Sequence, residues 1–149
     1  MTQFATDDNL IEYEPQILDF GIQSFKDLHE KTYDDIIRLL NIEWFPKSEF
    51  GKFDINIIGT PSKLTPSMLT SSQFTRAACY HVLAYYIYPR LSTFEVQGDS
   101  FLEKMKYYKE KFKEEFDLIL RSGVEYDSDS SGTITDAERK PFHFNRLVR

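Results

Sequence analysis

Between Ser100 and Gly123 the chain carries a pattern that only one kind of structure satisfies. Phe101, Leu102, Met105, Tyr108, Phe112, Phe116, Ile119 and Leu120 fall on a single stripe at helical spacing. Lys106, Lys109, Glu110, Lys111, Lys113, Glu114 and Glu115 occupy the other face. Ser100-Phe101-Leu102-Glu103 fits a capping box, in which Ser100 and Glu103 each satisfy one free amide of the first turn, and Gly123 stands where a left-handed stop is expected. A helix this amphipathic is stable mainly through what it packs against, so the rest of the chain has to supply apolar surface.

Two further segments supply it. Ile22, Phe25, Tyr33, Ile36, Ile37, Leu39 and Leu40 recur at near-helical spacing through Trp44, and Pro46 stops the run. Lys26, Asp27, Glu30, Lys31, Asp34, Asp35 and Arg38 form its solvated face. A second helix is expected after Thr70-Ser71-Ser72, where a hydroxyl can cap the free amides. It runs through Phe74, Ala77, Ala78, His81, Val82, Tyr85 and Tyr88 to Pro89. From Ala77 to Tyr88 it is uncharged on all sides, the mark of a central helix surrounded by others.

The fold class is therefore mainly α: a bundle of three long helices plus short elements, with extended N- and C-terminal arms and a short β element. The 149 residues form one domain with one core. Its parts are an N-terminal arm (1–15), a helical body (16–123), an acidic loop (124–138) and a C-terminal arm (139–149). Residues 46–71 are broken by Gly51, Gly59, Pro61 and Pro66. Within them Phe53-Asp54-Ile55-Asn56-Ile57 alternates like a strand, with an ordered loop as the competing reading.

Charge narrows the function. The net charge of −6 disfavours a whole-surface nucleic-acid binder, which needs a cationic excess to release counterions, but does not exclude a channel that nucleic acid passes through. Cys79 stands alone, so neither an internal disulfide nor a cysteine-based zinc site is available. Met1 to Phe20 has five acids and no Lys or Arg, unlike a secretory signal or a mitochondrial presequence. The uncharged stretch between Arg76 and Arg90 is too short to span a bilayer. The expectation is a soluble protein, without a membrane partner, that matures in a reducing cytoplasm.

No catalytic constellation stands out, and the chain is not expected to be an enzyme. His29, His81 and His143 lie far apart with no His-Glu-x-x-His pattern, and there is no Gly-rich phosphate loop or Gly-x-Ser-x-Gly elbow. His81 and Cys79, both on the apolar second helix, read as core residues. Tyr80, Tyr85, Tyr86 and Tyr88 read as packing rather than as base-stacking platforms, because no Lys or Arg interleaves them. The most specific local motif is Asp127-Ser-Asp129-Ser-Ser131-Gly132-Thr133-Ile134-Thr135-Asp136-Ala137-Glu138. It follows an EF-hand calcium loop, with candidate ligands Asp127, Asp129, Ser131, Thr133 (through its carbonyl), Thr135 and Glu138. Pro141 leaves little room for an exiting helix and no partner loop exists. The expectation is Ca²⁺ bound weakly to pin the tail, with a solvated turn holding no ion as the alternative.

The tail gathers Arg139, Lys140, Arg146 and Arg149 with no acid, against an acidic start. Oppositely charged, aromatic-bearing arms suit intersubunit clasping or docking, so Arg139, Lys140, Phe142, Phe144, Arg146 and Arg149 are the candidate partner-binding residues; ordinary frayed termini are the alternative.

One further likeness lies in residue placement. A helix ends in Ile42-Glu43-Trp44-Phe45-Pro46. Ser72-Gln73-Phe74-Thr75-Arg76-Ala77-Ala78 leads to Tyr85-Tyr86-Ile87-Tyr88-Pro89-Arg90-Leu91. Tyr107-Tyr108-Lys109-Glu110 runs through Glu114-Glu115-Phe116, followed by Gly123-Val124-Glu125-Tyr126-Asp127 and a closing Arg146-Leu147-Val148-Arg149. Over residues 17–149 this succession resembles the small helical adaptors among tailed-bacteriophage head–tail connector proteins. The resemblance implies a subunit of a virion-neck ring, made in the host cytoplasm and assembling as about twelve copies. Its implied partners are further copies of itself, the portal protein and a tail, stopper or terminator protein. DNA would pass through without specific binding, and no cofactor would be required; the calcium-type loop is not part of the general adaptor pattern. A small EF-hand-like calcium-binding interaction module is the alternative.

Overall fold

The computed structural model describes residues 3–20, 24–45, 63–91, 100–127, 129–135 and 138. It is mainly helical, as the periodicity predicts. Helix α1 spans Asp7–Tyr13, α2 Lys26–Glu43, α3 Ser71–Val82, α4 Tyr88–Leu91 and α5 Ser100–Ser122. A π-helical turn, Leu83–Ile87, joins α3 to α4, so residues 71–91 form one continuous helical run. That run is the hub, packing on α5, α2 and α1. Its Phe74, Ala77, Val82, Leu83 and Ile87 are fully enclosed, which fits the absence of charge from Ala77 to Tyr88.

The π turn has a visible cause. The Tyr88 amide donates to the Leu83 carbonyl, five residues back. Pro89 follows, with no amide to offer the Tyr85 carbonyl and a ring that would collide with it in a regular helix. Widening the turn separates the two and lets the helix continue to Leu91 instead of ending at Pro89 as expected.

The N-terminal segment is not the extended arm expected of residues 1–15. The Thr6 amide and hydroxyl both donate to Asn9 Oδ1, at 2.9 and 3.0 Å, and this starts α1. Leu10 is fully buried. Phe4 is only 5% exposed, with its ring against Tyr33 and Phe74. The segment docks because its apolar residues find core partners that its sequence neighbours do not reveal.

Helix starts also differ from expectation in detail. α2 begins at Lys26 after a buried Phe25, not near Ile22. Thr70 precedes α3 but makes no side-chain cap bond. Ser100, expected as the cap of α5, is already helical, and the residues before it lie outside the described ones. The far end of α5 is as predicted: Gly123 has φ +98°, and its amide donates to the Ile119 carbonyl at 3.1 Å. Among the described residues the only β feature is an isolated antiparallel bridge, Leu69 to Tyr126. The expected strand at 53–57 lies outside the described residues. No helix among them is long and apolar enough to cross a membrane.

Candidate functional site

The loop that follows α5 is fastened to the bundle before it turns. Gln73, in the first turn of α3, donates from Nε2 to the Gly123 carbonyl (2.9 Å) and accepts the Glu125 amide at Oε1 (3.0 Å). Tyr126 is buried between Trp44 and Phe45, ring centroids 5.6 and 5.9 Å away, and its hydroxyl accepts the Thr65 amide. The Asp127 amide then donates to the Met68 carbonyl at 2.9 Å. These contacts fix the first carboxylate of the acidic loop to a rigid base.

From that base the loop closes on itself. Asp127 Oδ1 accepts the Ser131 amide (3.0 Å) and Oδ2 the Gly132 amide (2.8 Å). Gly132 has φ +81°, and Ser130, at φ 55°, is also left-handed, so two sharp turns fold the chain around the Asp127 carboxylate. The Asp129 carboxyl is held below its usual value by the hydrogen bonds it receives from Ser131. Glu138 returns the chain: the Tyr126 amide donates to its carbonyl, and its Oε1 accepts from the Thr135 amide and hydroxyl.

The result is a carboxylate cluster. Asp127, Asp129 and Glu138 each place an oxygen within 4.8 Å of the others, and Glu138 is only 5% exposed. Ser131 and Thr135 bond directly to members of that cluster, and the Ser131 hydroxyl donates to the Thr133 carbonyl at 3.0 Å. All six sequence-predicted ligands thus belong to one closed loop, with the three carboxylates brought together. The donor set is all oxygen and hard, which suits Ca²⁺. The predicted partner residues Arg139, Lys140, Phe142, Phe144, Arg146 and Arg149 lie outside the described residues.

Elsewhere the bundle uses polar groups that sequence reading did not single out. Asp7 of α1 accepts the Phe25 amide at the start of α2 and bonds His29 Nε2 at 2.9 Å, an acid at a helix N-terminus where the dipole favours it. Glu14 accepts the Tyr108 hydroxyl at 2.8 Å and pairs with Lys104 at 3.2 Å, joining α1 to α5. Only the acidity of the segment was visible beforehand; its partners are remote in sequence. His81 is buried, with Nδ1 3.2 Å from the Thr32 hydroxyl, and burial pushes its pKa down to about 4 against the opposing pull of Asp35. Burial likewise pushes the Cys79 thiol up to about 12, which leaves it un-ionised at neutral pH. Of the tyrosines read as packing, Tyr80 and Tyr88 join Tyr13 and Tyr108 in a chain of ring contacts 5.3–5.9 Å apart, whereas Tyr85 is exposed.

A groove of about 710 Å³ opens between α2, the π turn and α5. Among its lining residues Ile42 is 57% exposed and Tyr85 38%. No protein-family model matches the chain, and no curated protein or solved structure is significantly similar to it.

Proposed function

We propose that this chain is a structural subunit of a head–tail connector ring in a tailed-phage virion, placed between the portal and the tail. The observation that supports this reading is that, among the described residues, the segments ending at Trp44-Phe45 and around Gln73, Tyr88, Tyr108 and Tyr126, remote in sequence, meet in one packed unit. Trp44 and Phe45 hold Tyr126; Gln73 holds Gly123 and Glu125; Tyr88 stacks on Tyr108 at 5.9 Å. An acidic subunit suits such a ring, because a lumen that repels phosphate lets DNA slide where a basic one would grip it. The basic tail from Arg139 to Arg149 is the docking arm toward the portal or a neighbouring copy. Negative-stain microscopy of the purified protein, alone and with a portal, is expected to show rings. Protein that stays ringless in both overturns the reading. Deleting residues 139–149 is expected to abolish head–tail joining, and particles that still join overturn the role of the tail.

A second reading rests on the carboxylate cluster: a small calcium-binding interaction module with Asp127, Asp129, Ser131, Thr133, Thr135 and Glu138 as its site. Three converging carboxylates on one unpaired loop suit a weak structural ion, with Kd on the order of 10⁻⁴–10⁻³ M. Within the connector the ion would pin the root of the tail. Calorimetric titration separates the two: binding tighter than about 10⁻⁶ M with helix reorganisation marks a sensor, whereas weak binding alongside ring formation marks a staple.

A further inference from the structure

The outer face of α5 carries apolar and charged groups in an order that complements itself when reversed. Five large apolar side chains are exposed among the described residues, and only Tyr107 and Leu118 share a helix, where they are 54% and 56% exposed. They stand about three turns apart and so lie on one face. Lys111 and Glu114 fall between them on that face, 3.5 Å from each other, and the Lys111 ammonium rests 5.5 Å from the centre of the Tyr107 ring. Tyr108, Phe112, Phe116 and Ile119 are buried in the bundle, so the outer stripe takes no part in the core.

We propose that this face pairs antiparallel with α5 of a second copy of the chain, about a two-fold axis level with the peptide that joins Phe112 to Lys113. Three features single out that occupant. The first is register. Tyr107 and Leu118 are equally far from the midpoint between Phe112 and Lys113, and so are Lys111 and Glu114. In the antiparallel pair each Tyr107 faces the partner's Leu118, and each Lys111 faces the partner's Glu114. The two-fold makes both contacts twice. The second is the flank beside the stripe. There Glu103 meets the partner's Arg121 and Lys106 the partner's Asp117, each within one helical turn of register. Glu110 falls between the partner's Lys113 and Glu114 and adds little. The third is the distribution of charge along the helix. From Glu103 to Phe112 there are four lysines against two glutamates, and from Lys113 to Ser122 three acids against two cations. A parallel pair would set like halves side by side, whereas the antiparallel pair sets the basic half of each helix against the acidic half of the other.

Such a contact is isologous, one patch meeting its own copy, and it closes at two subunits. A ring needs a head-to-tail contact between different faces, so this pairing stands or falls independently of the connector reading. One helix from each copy buries less than the roughly 1,600 Å² of a standard interface, which makes the dimer weak and reversible. Tyr107 and Leu118 anchor it, and the ion pairs set its direction and make it sensitive to salt.

Sedimentation of the full chain over a range of concentrations tests this. Reversible dimerisation that weakens at high salt is expected. Lys111→Glu or Glu114→Lys alone sets like charges face to face at two places and is expected to weaken dimerisation at least about tenfold. Both side chains face solvent, so neither change disturbs the core. Mixing the two single variants restores both attractions and is expected to recover a heterodimer to within about threefold of the native affinity. Cysteine pairing reads the direction: on oxidation, Tyr107→Cys mixed with Leu118→Cys is expected to give several-fold more covalent dimer than Leu118→Cys alone, with native Cys79 buried and out of reach. A chain that stays monomeric, single charge variants that dimerise like the native chain, or a mixture no better than its components overturns the pairing. Leu118→Cys that links better alone than in the mixture overturns the antiparallel register.

Discussion

His81 carries the clearest energetic consequence of any one residue. In the unfolded chain an imidazole titrates near 6.5, whereas burial holds the folded group down to about 4. Between these values the unfolded chain binds a proton that the folded chain refuses, so stability rises with pH across the window. The contribution is fully present above about pH 6.5 and is lost as the pH falls toward 4, by on the order of 3 kcal/mol in total. Denaturant unfolding at pH 7 and pH 4.5 should show a smaller acid loss for the His81→Leu, Thr32→Val double variant, which removes the buried pair together. An equal loss in both proteins refutes the assignment. The burial of His81 and Cys79 was legible in the sequence, because the uncharged run from Ala77 to Tyr88 leaves no solvated face for either. The roles of Asp7 and Glu14 were not. Asp7 caps a helix 18 residues on, and Glu14 holds a tyrosine 94 residues on, and no local pattern encodes such partners.

At the scale of elements, legibility followed length and punctuation. α5 could be read almost residue by residue, since its stripe runs for 23 residues and its stop needs a backbone that glycine adopts freely. Replacing that stop gives a direct measurement: Gly123→Ala forces a side chain into φ +98°, at a cost of about 1–2 kcal/mol. For a chain of this size that lowers Tm by about 2–8 °C, while Ser122→Ala one residue earlier should change stability by less than about 0.5 kcal/mol. Equal Tm values for the two variants would show that the left-handed stop contributes nothing. α1 was illegible for the opposite reason. Seven residues are too few to show a period or to hold a helix unaided, and it exists because Leu10 and the Asp7 and Glu14 bonds dock it. The π turn left one trace, Pro89, which reads as a helix stop unless the preceding turn widens.

Over the whole molecule, the carboxylate loop and the bundle stabilise each other, and this is where bound calcium would act. The loop is tied to α2 through Tyr126 on Trp44 and Phe45, to α3 through Gln73, and to the 66–68 turn through the Asp127 amide. An ion held by Asp127, Asp129 and Glu138 therefore binds the folded chain and not the unfolded one, which lacks the cluster. The convergence of Asp127, Asp129 and Glu138 was legible because an EF-hand-type loop is local in sequence; its anchorage was not, because Gln73, Trp44 and Met68 lie in other elements. By linkage, 10 mM Ca²⁺ against a Kd of about 10⁻⁴–10⁻³ M adds about 1.4–2.7 kcal/mol to the stability of the chain. Thermal unfolding with and without calcium should show that gain in the native protein and lose it in Glu138→Gln, which removes one charge from the cluster. Magnesium at the same concentration should give less, because it demands a tighter octahedron than this loop of carboxylates, hydroxyls and one carbonyl presents. A Tm that calcium does not move, or that moves equally in Glu138→Gln, would make the cluster a solvated turn, and the root of the tail would then be held by Tyr126 and its aromatic partners alone.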